Sequence, residues 1–246
     1  MCKLLVLLYG IFSYAIGLGG LTAFMLYMGG WSFLPFSIHN PLPAGGDSAF
    51  TINLLLLVAF AVHHSVTARE SFKRRLTKII PRSAERPTYV LISGLFMLAF
   101  CVYWQPIGGG VVWSVGNSLA ATILMTMHIV GWLILVAATF EIDHFELMGL
   151  KQAVTFSQGK EFVPPKFKEK ILYRLVRHPI QLGILMGMWI NSTMTVTHLM
   201  LSVGFTVYVF IGLYFEEKSL IAQFGDVYRD YKKRVPMVLP FPRPRS

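Results

Sequence analysis

Four stretches of this chain bring acids, bases and cations to places where chemistry could use them. Glu216 and Glu217 are adjacent carboxylates at the end of an apolar run. Arg177-His178-Pro179 opens another such run. Proline suits the first turn of a helix, so this triplet marks a helix start. The free N–H groups there suit a carboxylate or a phosphate. His63 and His64 lie near the end of a third run, and an imidazole titrates near neutrality, as a general base should. Being adjacent, they point about 100° apart on a helix, so at most one faces a given site. Glu141, Asp143, His144 and Glu146 follow a fourth run.

Each stretch also has a plain structural reading. Two carboxylates at a helix C-terminus oppose the helix dipole. They call for a salt bridge, with Arg174 or Arg177 as partner, or for a cationic or hydroxyl-rich ligand. Gly183 and Gly187 form a G-x-x-x-G pair that permits close helix contact or close approach of a flat ligand. His128 lies in mid-segment and is expected to be packed and hydrogen-bonded. His39 and His198 fall outside the apolar runs and are expected to be solvated.

The elements that must carry these groups are membrane helices. Of 246 residues, 54% are hydrophobic and 14% charged, against about 25% charged in soluble domains. Six apolar segments run roughly over residues 4–28, 50–66, 89–104, 119–140, 180–196 and 199–215. A span needs about 20 apolar residues, with a range of about 17–25. The first and fourth meet that length; the second, third and sixth are short. Asn191, Ser192 and Thr193 interrupt the fifth, so the fifth and sixth read as a helical hairpin. Five or six spans are expected. The first segment is too long for a signal-peptide core and has no A-x-A site after it, so it reads as a retained helix. Beyond the sixth, Leu220, Phe224, Tyr228 and Tyr231 keep helical spacing on one face. The tail from Pro236 to Pro244 holds four prolines and cannot be helical throughout.

The basic residues orient the bundle. Lys3 precedes the first segment; seven Lys and Arg lie between segments two and three, seven between four and five, and seven after six, which accounts for all 22. The other loops have none. The positive-inside rule then places both termini in the cytoplasm, and every candidate group named above at that face. Such segregation explains the formal charge of +10 without nucleic acid and leaves membrane lipid as the partner. Cys2 and Cys101 offer no CxxC or Cys/His spacing, so no metal site is expected. Dinucleotide, Walker, G-x-S-x-G and H-E-x-x-H motifs are absent.

Two stretches, YRLVRHPIQLG (173–183) and FEEKSLIAQFGDVYRDYKKRVPMVLP (215–240), resemble the C-terminal half of the integral-membrane methyltransferases, which include isoprenylcysteine carboxyl and phospholipid N-methyltransferases. FAVHHSVTARESFKR (60–75), ERPTYVL (85–91) and ATFEIDHFELMGLKQ (138–152) are similar to bacterial methanethiol S-methyltransferases, near the NnrU-like branch. One position departs from that pattern: His63 stands where the family has glutamine, so His64 matches the family's histidine.

The resemblance implies one integral-membrane methyltransferase domain over 1–246, all-α, multi-pass in a bacterial inner membrane. Residues 1–140 would form a four-helix part and 141–246 the cofactor-binding part. It implies S-adenosylmethionine as methyl donor, held by Tyr173, Arg174, Arg177, His178, Pro179, Leu182, Glu216 and Glu217. The small volatile thiol methanethiol would be the acceptor and dimethyl sulfide the product. The thiolate is the nucleophile, and even the cysteine thiol has a reference pKa of about 8.5, so a base helps. His64 or His144 would serve, with Asp143 as an orienting carboxylate. Three rivals stay open on the sequence: a lipid, prenylcysteine or larger-thiol methyltransferase, a haem-binding NnrU-like isomerase using His63, His64 or His144, and a small transporter.

Overall fold

Lipid offers no water to a backbone N–H or C=O, so the apolar segments close their hydrogen bonds within themselves as helices. The computed structural model describes residues 2–31, 33–42, 46–163, 167 and 169–240. Lys166, Lys168, Arg243, Arg245 and the end of the proline-rich tail lie outside the described residues.

In chain order the elements are α1 (Lys3–Met28), α2 (Ala49–Thr67), α3 (Glu70–Leu76), α4 (Arg82–Tyr103), β1 (Val111–Ser114), α5 (Ser118–Ile142), α6 (His144–Leu147), α7 (Leu150–Ser157), α8 (Ile171–Leu175), α9 (Pro179–Trp189), β2 (Thr193–Thr195), α10 (Val196–Phe224) and α11 (Asp226–Arg234). Among the described residues, α1, α2, α4, α5 and α10 are long and apolar enough to cross a membrane. The protein is a multi-pass helical membrane protein. The second, third and sixth apolar segments gain span length because polar residues extend their helices to 19, 22 and 29 residues. The fifth does not: α9 has 11 residues, about 16 Å at 1.5 Å per residue. With the residues after it, however, the chain runs back along α5 to Val115, just before α5 begins. It therefore still returns to the side where α5 starts, and the number of crossings stays even.

By their contacts the residues fall into two units, interleaved along the chain. The first holds Met1–Val112, Asp143–Pro164 and Thr195–His198; the second holds Trp113–Ile142, Pro165–Met194 and Leu199–Ser246.

The first unit is built on α1 and α4. The buried residues of α1 are Val6, Gly10, Ser13, Gly17, Gly20, Phe24, Tyr27 and Met28. Up to Tyr27 their spacing alternates between four and three, a seam with period 3.5. Small residues on that seam let two backbones approach, which is how helices associate where lipid removes most of the hydrophobic driving force. A Cβ on Gly20 would strike the Gly94 carbonyl of α4, and one on Gly10 would strike Ala153 of α7. Gly149, at φ +81°, precedes α7 and lies against α4, where a Cβ would be 2.7 Å from Pro87 N. His198 is not solvated as its place in the sequence suggested: it is fully buried, with Nδ1 3.3 Å from His39 Nε2.

In the second unit α9 packs on α5 through its glycines. A Cβ on Gly183 would lie 2.5 Å from Gly131 O, and one on Gly187 would strike the Trp132 ring. The residues that interrupt the fifth apolar segment have polar partners. The Asn191 amide lies 3.3 Å from His128 Nδ1, Trp132 Nε1 donates to His128 Nε2 at 3.0 Å, and Trp113 Nε1 donates to Asn191 O at 3.2 Å. Val115 N donates to Ser192 O at 2.8 Å.

Two glycines of one helix give a direct test of this packing. Gly20→Val should destabilise the protein by about 1–3 kcal/mol, because its obstacle is backbone and cannot swing away. Gly19→Val, which would meet nothing within 4 Å, should not. Thermal unfolding in detergent separates the two, and equal losses would contradict the seam.

Candidate functional site

In the second unit the Arg177-His178-Pro179 triplet does start a helix, with Pro179 at its first position. The two N–H groups just before that start are already engaged. Arg177 N donates to Pro236 O at 2.8 Å and His178 N to Met237 O at 3.0 Å. The non-helical tail therefore lies along the helix start that the sequence offered to an anion.

The Arg177 guanidinium is committed in the same way. Its Nε donates to Glu217 Oε1 at 2.7 Å and its Nη2 lies 2.6 Å from the same oxygen. Nη1 donates to Val235 O at 2.6 Å and to Lys232 O at 3.1 Å. Glu217 also takes Lys232 Nζ at 2.6 Å on Oε2 and His178 Nε2 at 3.3 Å on Oε1. A carboxylate can only accept, so His178 carries its proton on Nε2. Arg177 and Glu217 are each 3% exposed. Of the two partners the sequence allowed the carboxylate pair, Arg177 is the one used. This cluster ties α9, α10, α11 and the tail into one piece.

Glu216 is different. Its side chain is 47% exposed, 3.9 Å from His178 Nδ1 and 3.4 Å from Gln181 Nε2. Tyr173 is half-buried, and its carbonyl accepts the Tyr231 hydroxyl at 2.5 Å. Burial first, and the Glu216 carboxylate second, raise the Tyr173 phenol above its ordinary pKa. Arg174 is exposed and donates through Nε to Glu169 O at 3.2 Å. Leu182 packs on the apolar cluster of Val209, Leu213 and Val238. The expected face of Leu220, Phe224, Tyr228 and Tyr231 is present around Phe167, but the helix breaks at Gly225, whose φ is +58°.

The candidate bases all fall in the first unit. His64, on α2, has the Tyr89 hydroxyl 2.5 Å from Nε2 and Ser93 Oγ 3.5 Å from Nδ1. Arg86 stands over the Tyr89 ring at 4.7 Å and donates through Nε to Leu147 O. His144 is buried, with Nε2 3.1 Å from the Tyr14 hydroxyl. Burial lowers its pKa, and the neighbouring Asp143 charge opposes that in part. Asp143 caps α6 by accepting Glu146 N at 3.1 Å, and it pairs with Lys151. Tyr14, Tyr89 and His63 complete these surroundings; the sequence reading passed over the two tyrosines because a helix face is needed to align them with their histidines.

Five apolar helices, a buried Arg–Glu–His cluster joined by the half-exposed Lys232, and tyrosine-held histidines define a polytopic membrane protein with ionisable clusters. The chain matches the NnrU protein family over residues 52–239 and belongs to it. It is 42% identical to methanethiol S-methyltransferase 2 of Bradyrhizobium diazoefficiens, covering 97% of this chain and 91% of that one. It is 40% identical to the methanethiol S-methyltransferase of Pseudomonas deceptionensis (97% and 90% covered) and 38% to that of Mycobacterium tuberculosis (98% of each). No solved structure matches the chain.

Removing one partner from a buried ion pair leaves the other charge uncompensated, at about 3–5 kcal/mol. Glu217→Ala should therefore cost far more stability than Glu216→Ala. Chemical denaturation of the two variants checks this, and comparable losses would mean that Glu217 is not the organising carboxylate.

Proposed function

We propose that this protein transfers a methyl group from S-adenosylmethionine to methanethiol, releasing dimethyl sulfide, at the cytoplasmic face of a bacterial inner membrane with both termini in the cytoplasm. The observation that carries the reading is the likeness, along nearly the whole chain, to several methanethiol S-methyltransferases. The segregation of all basic residues to alternate loops supports the orientation.

The second unit has groups of the right chemistry for this donor. The exposed Glu216 carboxylate can accept from ribose hydroxyls, and Arg174 can pair with the amino-acid carboxylate. The Tyr173 ring and the nearby carboxylates suit a sulfonium cation. Arg177, His178, Pro179 and Glu217 hold the frame on which these groups sit, and Leu182 contributes an apolar wall. When bound, the donor supplies an electrophilic methyl. The protein's share is positioning and exclusion of water, plus a base to raise the thiolate fraction, worth about 10²–10⁴-fold. A histidine takes that proton. His64 and His144 are the two that the sequence nominates, each with a tyrosine hydroxyl on its ring and Asp143 beside the second.

Purified protein given methanethiol and S-adenosylmethionine should release dimethyl sulfide, read in the headspace by gas chromatography. Arg174→Ala and Glu216→Ala should stay folded, because both side chains are exposed, and should raise the KM for S-adenosylmethionine about 10–100-fold, as loss of a charged hydrogen bond does. Folded protein that yields no product would overturn the assignment.

A further inference from the structure

The connection from α2 to α4, residues 68–82, lies at the membrane surface, because it joins the ends of two spans. It holds Arg69, Lys73, Arg74, Arg75, Lys78 and Arg82 against a single carboxylate, Glu70. Its middle is α3, in which no residue is fully buried. Phe72 and Leu76, one helical turn apart, are half-buried, whereas Arg74, Arg75, Lys78 and Arg82 are exposed. Beside Lys78, Ile79 is 85% exposed.

The basic stretch near the other end of the chain is built differently. Each of the four cations of α11 has a carboxylate partner. Arg229 lies 2.7 Å from Asp226, Lys233 2.9 Å from Asp230, Lys232 2.6 Å from Glu217 and Arg234 2.8 Å from Glu169. Arg74, Arg75, Lys78 and Arg82 form no ion pair among the described residues. Counting loop charges treats the two stretches alike, with seven basic residues in each; pairing separates them. Cations at the membrane surface that no protein carboxylate compensates attract the phosphates of anionic lipid. The attraction fades within a Debye length, so side chains tethered at head-group level feel it most. Apolar side chains beside such cations sink into the boundary between head groups and acyl chains, which removes Ile79 from water.

We propose that residues 68–82 form a binding surface for anionic phospholipid, with Arg74, Arg75, Lys78 and Arg82 on the head-group phosphates and Ile79 at the acyl boundary, and that α11 takes no part. Lipid suits this surface better than a free phosphate does, because an exposed apolar side chain stands among the cations and both ends of the segment are anchored to spans.

The whole protein, purified in a neutral detergent, is titrated with phosphatidylglycerol or phosphatidylcholine, and bound lipid is counted by native mass spectrometry. Phosphatidylglycerol should bind more tightly, and added salt should weaken it. Each cation near an anionic surface contributes about fivefold. Arg74→Gln alone should therefore weaken phosphatidylglycerol about fivefold, and Arg74→Gln, Arg75→Gln and Lys78→Gln together about 100-fold. These side chains are exposed, so the variants should unfold at the wild-type temperature. Lys218→Gln, Arg229→Gln and Lys233→Gln together remove the same charge from α10 and α11 and should weaken binding less than about twofold. Glycerol phosphate, which has the head group's phosphate and no acyl chains, should not compete. Equal losses in the two triple variants would mean that net charge alone attracts the lipid, and competition by glycerol phosphate would mean a plain anion site. Either result overturns the proposal, as does a wild type with no preference for phosphatidylglycerol.

Discussion

The buried carboxylate of Glu217 is the constraint on which the C-terminal half depends. An ion removed from water costs several kcal/mol unless it is paired and its lone pairs are met. Here Arg177, Lys232 and His178 all converge on it. Those three residues come from the start of α9 and from α11, so satisfying one charge sets where α9 begins and how α11 folds back after Gly225. The remaining Arg177 N–H groups reach the carbonyls of Lys232 and Val235, which brings the tail along. The adjacent Glu216 is exposed and lies beside Gln181 and His178.

Elsewhere the architecture answers a different problem. Burying apolar side chains gains little against lipid, so helices associate by close backbone approach and by polar contacts. The first unit uses the α1 seam of Gly10, Ser13, Gly17 and Gly20. In the second, α5 and α9 combine the two devices: Gly131 lies against Gly183 and Gly187, and His128 joins Trp132 and Asn191.

Much of this was legible in the residues. Apolar run lengths and basic loops mark the helices; the proline after His178 marks α9; His128 was recognisable as a packed histidine and Arg177 as a partner for a glutamate. What escaped is what needs two distant segments at once. Nothing local to Arg177 says that the carbonyls of Pro236 and Met237 will take the N–H groups just before α9. His198 reads as a loop histidine until α10 is seen to begin at Val196 and His39 is seen beside it. The α1 seam is hidden because α1 is apolar nearly all round, so small against large rather than polar against apolar marks the buried face. Likewise, choosing between His63 and His64 requires knowing which ring nitrogen already has a tyrosine.

The reaction proposed is methyl transfer from S-adenosylmethionine to methanethiol. Isotope transfer tests it most directly. Purified protein is given methanethiol and S-adenosylmethionine labelled as CD₃ on sulfur, and the headspace is read by mass spectrometry. Dimethyl sulfide carrying one CD₃ group, at a rate proportional to enzyme, is the predicted result. Unlabelled product, or no product from folded protein, would contradict it.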